Sequence, residues 1–91
     1  MGEAPADQEE RDELEVVGDT LVFLARSLAE HPDKVSVDVI PGDTSVFKLH
    51  VDPEDLGRII GRGGRTARAI RQVAKAAAAK CGIHVFIEIA G

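Results

Sequence analysis

Leu14, Val17, Leu21, Leu24, Ala25 and Leu28 recur at steps of three and four, which places one apolar stripe along a helix. Asp12 with Glu15 three positions on can cap its start in the capping-box manner. Asp19 offers a second start, because Gly18 costs a helix interior about 1 kcal/mol relative to alanine. Pro32 sets the end by biasing His31 away from helical dihedrals. Val35, Val37 and Val39 then alternate with Ser36 and Asp38, and Phe47, Leu49 and Val51 alternate with Lys48 and His50. With the turn residues Pro41-Gly42-Asp43 between them, the two runs predict an antiparallel hairpin.

Asp52-Pro53 predicts a helix start, since the aspartate can accept a free backbone N–H and proline has none to leave unpaired. That helix reaches only Ile60 before glycines interrupt it. A longer helix resumes near Arg65 and runs to Lys80 or Cys81, with Gly82 suited to the left-handed position beyond its end. Ile70, Val73, Ala74, Ala77 and Cys81 share its apolar face; Arg65, Arg68, Gln72 and Lys75 share the opposite one. Ile83, Val85, Ile87 and Ile89 alternate with His84, Phe86 and Glu88 as a final strand. The order helix, strand, strand, helix, glycine loop, helix, strand predicts an α+β domain, a three-stranded sheet with its helices on one face. Phe23 and Phe47 fall in apolar phase and are expected in the core. Phe86 lies opposite the isoleucines, on the sheet's open side, at a protein interface or a simple edge position.

Composition narrows the class. Ninety-one residues support one domain, because so short a chain buries only about 60% of its unfolded surface. Residues 1–11 lack apolar periodicity and read as a disordered acidic tail, leaving 12–91 as the domain. No apolar run approaches the ~18 residues of a membrane span, and the acidic start does not suit a secretory signal; a cytoplasmic location is expected. The lone Cys81 excludes an internal disulfide and a Cys-rich metal site, and reads as a small buried hydrophobe.

Net charge is −5, which alone argues against a polyanionic partner. Its distribution argues otherwise: residues 57–80 hold seven bases (Arg58, Arg62, Arg65, Arg68, Arg71, Lys75, Lys80) and no acid, while residues 1–56 net −11. A local anion-binding surface on an otherwise acidic protein follows.

That surface centres on Gly61-Arg62-Gly63-Gly64. Glycines let the chain turn through dihedrals closed to other residues and let its backbone approach another molecule's. The turn also leads into a helix N-terminus, which favours phosphate. No Lys-Ser/Thr follows, so it is not a mononucleotide P-loop; Thr66 stands where a dinucleotide fingerprint needs its third glycine. What fits is a helix, G-x-x-G, helix arrangement against an extended sugar-phosphate backbone. An enzyme is not indicated: His31, His50 and His84 fall in separate elements without metal-ligand spacing and read as surface histidines, and no serine or threonine sits in a nucleophile motif. No catalytic residue, metal or cofactor is expected.

The run D-L-G-R-I-I-G-R-G-G-R, Asp55 to Arg65, resembles the I-G-x-x-G core of KH domains, and the element order resembles their type II topology. H-P-D-K-V near the first strand, V-x-P-E-D-L-G over Val51–Gly57 and K-A-A-A-A-K over Lys75–Lys80 are similar to the KhpA family of small bacterial single-KH RNA-binding proteins, over roughly residues 20–90. The resemblance implies single-stranded RNA as ligand, about four nucleotides. Gly61 and Gly64 would be the framing glycines, Arg62 and Gly63 the variable positions, Ile60 part of the groove floor, and Arg62, Arg65 and Arg68 the phosphate contacts. Gly63 departs from the polar or basic residue common there, which implies one side-chain contact fewer. The resemblance also implies a homodimer, a KhpB-like KH-containing partner, and a role as RNA chaperone or post-transcriptional regulator linked to cell shape and cell-wall biogenesis. With only three aromatics, all Phe, an aromatic stacking platform is not expected. Two other readings remain: a dimerisation module whose partner makes the main RNA contacts, and DNA binding through helix, turn and helix, for which the glycine turn is unusually loose.

Overall fold

In a computed structural model, the backbone is described for residues 6–91 and side chains from Asp12 onward. Helix α1 spans Ala6–Leu28, strand β1 Ser36–Ile40, strand β2 Thr44–His50, helix α2 Leu56–Ile60, helix α3 Arg65–Lys80 and strand β3 His84–Ala90. Single 3-10 turns at Pro32–Lys34, Pro53–Asp55 and Arg62–Gly64 join them.

The sheet order is β1-β2-β3. β1 and β2 pair antiparallel, with Val37 opposite Leu49 and Val39 opposite Phe47, as the hairpin pattern predicts. β2 and β3 pair parallel, with Phe47 opposite Ile87 and Leu49 opposite Ile89. A parallel neighbour requires a long crossover, and the α2–α3 segment supplies it. The helices cover one face, where Val17, Leu21 and Ala25 of α1 and Ile70, Ala74 and Ala78 of α3 meet Phe47, Leu49 and Ile87. On the open face the register aligns Ile40, Val46 and Phe86 in one row and Asp38, Lys48 and Glu88 in the next. Phe86 is accordingly exposed.

Three expectations change. α1 begins at Ala6, so neither Asp12 nor Asp19 caps it; the preceding A-D-Q-E-E-R run favours helix, and early acids suit the helix dipole. Of the tail expected over 1–11, residues 6–11 are thus helical in backbone, and 1–5 lie outside the described residues. Phe23 is not in the core: it is 69% exposed, because the buried stripe runs Val17, Leu21, Ala25 and Phe23 falls off it. Val73 is 46% exposed for the same reason, since α3 buries Ala67, Ile70, Ala74 and Ala78. Gly18 is buried within α1, and a Cβ there would stand 3.5 Å from Val37 Cγ1, so the helix crosses the sheet closely at this point.

Candidate nucleic-acid interface

The bend starts from a braced base. Asp52 caps the turn ahead of α2 by accepting the Glu54 N–H at 2.8 Å, as the Asp-Pro pair predicts. Asp55, buried, does something its position in the sequence does not show. Its two carboxylate oxygens accept the backbone N–H groups of Glu30 and His31, both at 2.9 Å. The Glu30 N–H, together with that of His31 and the charges of His31 and Arg58, holds the Asp55 carboxyl below the ordinary aspartate range despite its burial. His31 Nε2 lies 2.9 Å from Glu54 Oε1, and that bond raises the His31 pKa. Arg58 pairs with Glu30. The turn after α1 is therefore latched to the start of α2 through both its backbone and its side chains. His31, Asp52 and Glu54 bring donor atoms within 4.8 Å of one another, as a metal site would, but the bonds just described already account for that proximity.

α2 ends by turning Ile59 fully into the core and leaving Ile60 39% exposed beside the bend. Its next residues part company with ordinary side chains. Gly61 has φ 76° and ψ 171°, a region open essentially to glycine alone. A Cβ on Gly61 would also lie 2.2 Å from Thr66 Oγ1. Gly63 (φ 66°, ψ 18°) and Gly64 (φ 75°, ψ 14°) are left-handed, and a Cβ on either would meet nothing within 4 Å. The bend is thus closed on its Thr66 side and open at its tip. In the sequence, Thr66 serves only to exclude a dinucleotide fingerprint; its place five residues beyond the first glycine does not show that it packs over Gly61.

Arg62, Arg65 and Arg68 are exposed, and none of them pairs with a carboxylate among the described residues. Gln72 and Lys75 continue this exposed face of α3, as the periodicity predicts. Two other bases of the positive segment are engaged elsewhere: Arg58 on Glu30, and Arg71 through Nε on the Ile87 carbonyl at 3.3 Å. The structure therefore brings Ile60, the bend and three uncommitted guanidinium groups together at the start of α3. Cys81 is half-buried rather than interior.

The sequence pattern of the KhpA/KhpB KH domain matches residues 18–89. The chain belongs to this KhpA/KhpB KH-domain family. A relative from Clostridium acetobutylicum, the RNA-binding protein KhpA, is 48% identical over 70 residues, covering 76% of this chain and 93% of that one. The KhpA of Aquifex aeolicus is 40% identical over 77 residues, covering 84% and 98%, and that of Mycobacterium tuberculosis strain H37Rv 47% identical over 57, covering 62% and 71%. The α+β type II KH fold follows from membership and from the element order. Two solved structures of Era contain the same fold: one from Aquifex aeolicus at TM-score 0.56 and 22% identity, covering 81% of this chain and 29% of that one. The other, a complex with MgGDPNP and nucleotides of 16S ribosomal RNA, gives TM-score 0.55 and 23% identity, covering 80% and 28%. KhpA/KhpB KH domains are a non-catalytic family, and this chain is not an enzyme. Among the described residues no helix is long and apolar enough to cross a membrane.

Proposed function

We propose that this chain binds single-stranded RNA at the Gly61–Gly64 bend, holding about four nucleotides of sugar-phosphate backbone against it. One observation carries the reading: glycine main chain open at its tip, flanked by Arg62, Arg65 and Arg68 without carboxylate partners. The relatives' name, RNA-binding protein, supports the ligand class. Gly61 and Gly64 frame the contact, Gly63 admits the strand closely, and Ile60 offers apolar surface to a base. The arginines neutralise phosphate.

Phosphate contacts fix register and leave sequence unread. A site of this size without an aromatic platform binds weakly and with little base preference, so useful affinity comes from linking sites. The reading therefore includes a cytoplasmic RNA chaperone or post-transcriptional regulator, acting as a homodimer or with a KhpB-like partner. Replacing Arg62 and Gly63 together with aspartate tests it. Binding of a single-stranded oligoribonucleotide at low salt should be lost while the circular dichroism of the fold is kept; unchanged binding would sink the assignment.

A further inference from the structure

The two edges of the sheet are guarded differently. The Val51 N–H donates to the Ala90 carbonyl at 3.0 Å, one step past the His50–Ala90 pairing. Because backbone groups alternate sides along a strand, the odd residues of β2 therefore bond β3 and the even ones bond β1. Ser36, Asp38 and Ile40, paired with His50, Lys48 and Val46, accordingly turn their backbone groups inward, and Val37 and Val39 turn theirs out along the β1 edge. Arg26 covers the carbonyl of Val35 just before them, and on the far edge Arg71 covers that of Ile87. The outward N–H and C=O groups of Val37 and Val39 have no hydrogen-bond partner among the described residues. No lysine, proline or bulge within β1 blunts this edge.

Val39 stands opposite Phe47 and so faces the helix side, yet it is 37% exposed because nothing covers it from beyond the edge. Between it and α1 runs a groove of about 230 Å³, lined by Leu14, Val37, Val39 and Pro41 with Glu15 and Asp19 on its α1 side. Residues 12–25 hold Asp12, Glu13, Glu15 and Asp19 and no base. On the open face of β1, Asp38 bonds His50 through Oδ2 at 2.9 Å and keeps Oδ1 free among the described residues; Lys48, the base in that row, lies on β2, away from the edge. We propose that the β1 edge receives an extended basic and apolar segment of a partner protein as an antiparallel fourth strand. Two apolar residues of the segment stand opposite Val37 and Val39, bond to their N–H and C=O groups, and drop their side chains into the groove. The residue between them lies on the open face opposite Asp38, where a lysine or arginine is complementary. The surrounding acids draw such a segment and repel a polyanion, so this edge is not a second nucleic-acid site.

The contact is small. The ladder bonds of two residues and two apolar side chains fall short of the ~1,200 Å² at which stable interfaces begin, so binding is weak and reversible. The edge lies on the far side of the sheet from β3 and uses no residue of the Gly61–Gly64 bend, so the proposal is independent of how the bend grips RNA.

Titration of the full chain with the capped heptapeptide acetyl-GKVKVKG-amide, followed by NMR, tests it. The amide signals of Val37 and Val39 should move saturably as peptide rises to about 1 mM, and their hydrogen exchange should slow, while the amides of the bend stay still. N-methylation of both peptide valines, which removes the donors aimed at the edge, should abolish the shifts. Glutamate in place of the peptide lysines, or Asp38→Lys in the protein, should each weaken binding by about tenfold or more. Unmoved Val37 and Val39 amides, or equal binding by the N-methylated or the glutamate peptide, would overturn the proposal. So would movement of these two amides with oligoribonucleotide, which would make the edge a nucleic-acid site, or protection that grows with protein concentration alone, which would give the edge to a second copy.

Discussion

Three glycines within four residues have two different reasons to be glycine. At Gly61 the backbone lies where a side chain is strained, and Thr66 fills the space a Cβ would take. At Gly63 and Gly64 the space is empty and only the left-handed dihedrals object. An alanine at Gly63 should cost about 1–2 kcal/mol of stability, the ordinary left-handed penalty, and asparagine at Gly64 less, because asparagine visits this region more readily. Alanine at Gly61 should cost more than either, since strain and collision add; urea denaturation of the three variants checks the order. A Gly61→Ala chain as stable as Gly63→Ala would mean that Thr66 yields without cost. The sequence shows three glycines and their spacing, and from that the bend is legible. Their division of labour is not, because it depends on Thr66 folding back over Gly61.

At the scale of elements, the latch between the end of α1 and the start of α2 governs how the bend is held. Two of its titratable members, Asp55 and His31, act at opposite ends of the pH range. Asp55 has its pKa lowered in the fold, so its contribution is present above the unfolded value of about 3.9 and is lost as pH falls through the lower folded value. His31 has its pKa raised, so its contribution is full below about 6.5 and is lost as pH rises through the higher folded value. From these two groups, stability should be greatest at mildly acidic pH. Thermal midpoints of wild type and His31→Gln between about pH 5 and pH 9 should converge as pH rises; a constant gap would show that His31 acts by packing alone. The sequence displayed both partners, in H-P-D-K-V and V-x-P-E-D-L-G, but not that they touch. Asp52-Pro53 was readable because a cap is local, whereas Asp55 reaches back to Glu30 and His31 across residues that only tertiary folding brings near. Phe23 and Val73 were misplaced for a related reason. Apolar identity sets a stripe's approximate phase, and the facing sheet decides which neighbour within it is buried.

For the whole molecule, the decisive property is where charge is left uncommitted. Seven bases lie between residues 57 and 80, yet Arg58 is held by Glu30 and Arg71 by a β3 carbonyl, which leaves Arg62, Arg65 and Arg68 nearest the bend. Each arginine that neutralises one phosphate of a single strand should contribute about 0.7 to the slope of log affinity against log salt. Alanine at Arg62, Arg65 or Arg68 should lower that slope by about this amount, while alanine at Arg58 should leave it nearly unchanged. Equal effects at all four positions would show that general positive potential, rather than specific placement, holds the ligand.

The empty space beyond Gly63 and Gly64 has a kinetic corollary. If a strand lies across the bend as proposed, no side chain projects there to sieve one nucleobase from another, so successive registers of a transcript would be nearly isoenergetic. The protein would then translate along the strand without release, and its dwell time on a uniform oligonucleotide should lengthen with the number of overlapping registers available. Single-molecule residence times that do not vary with oligonucleotide length would show that the strand is instead clamped in one place.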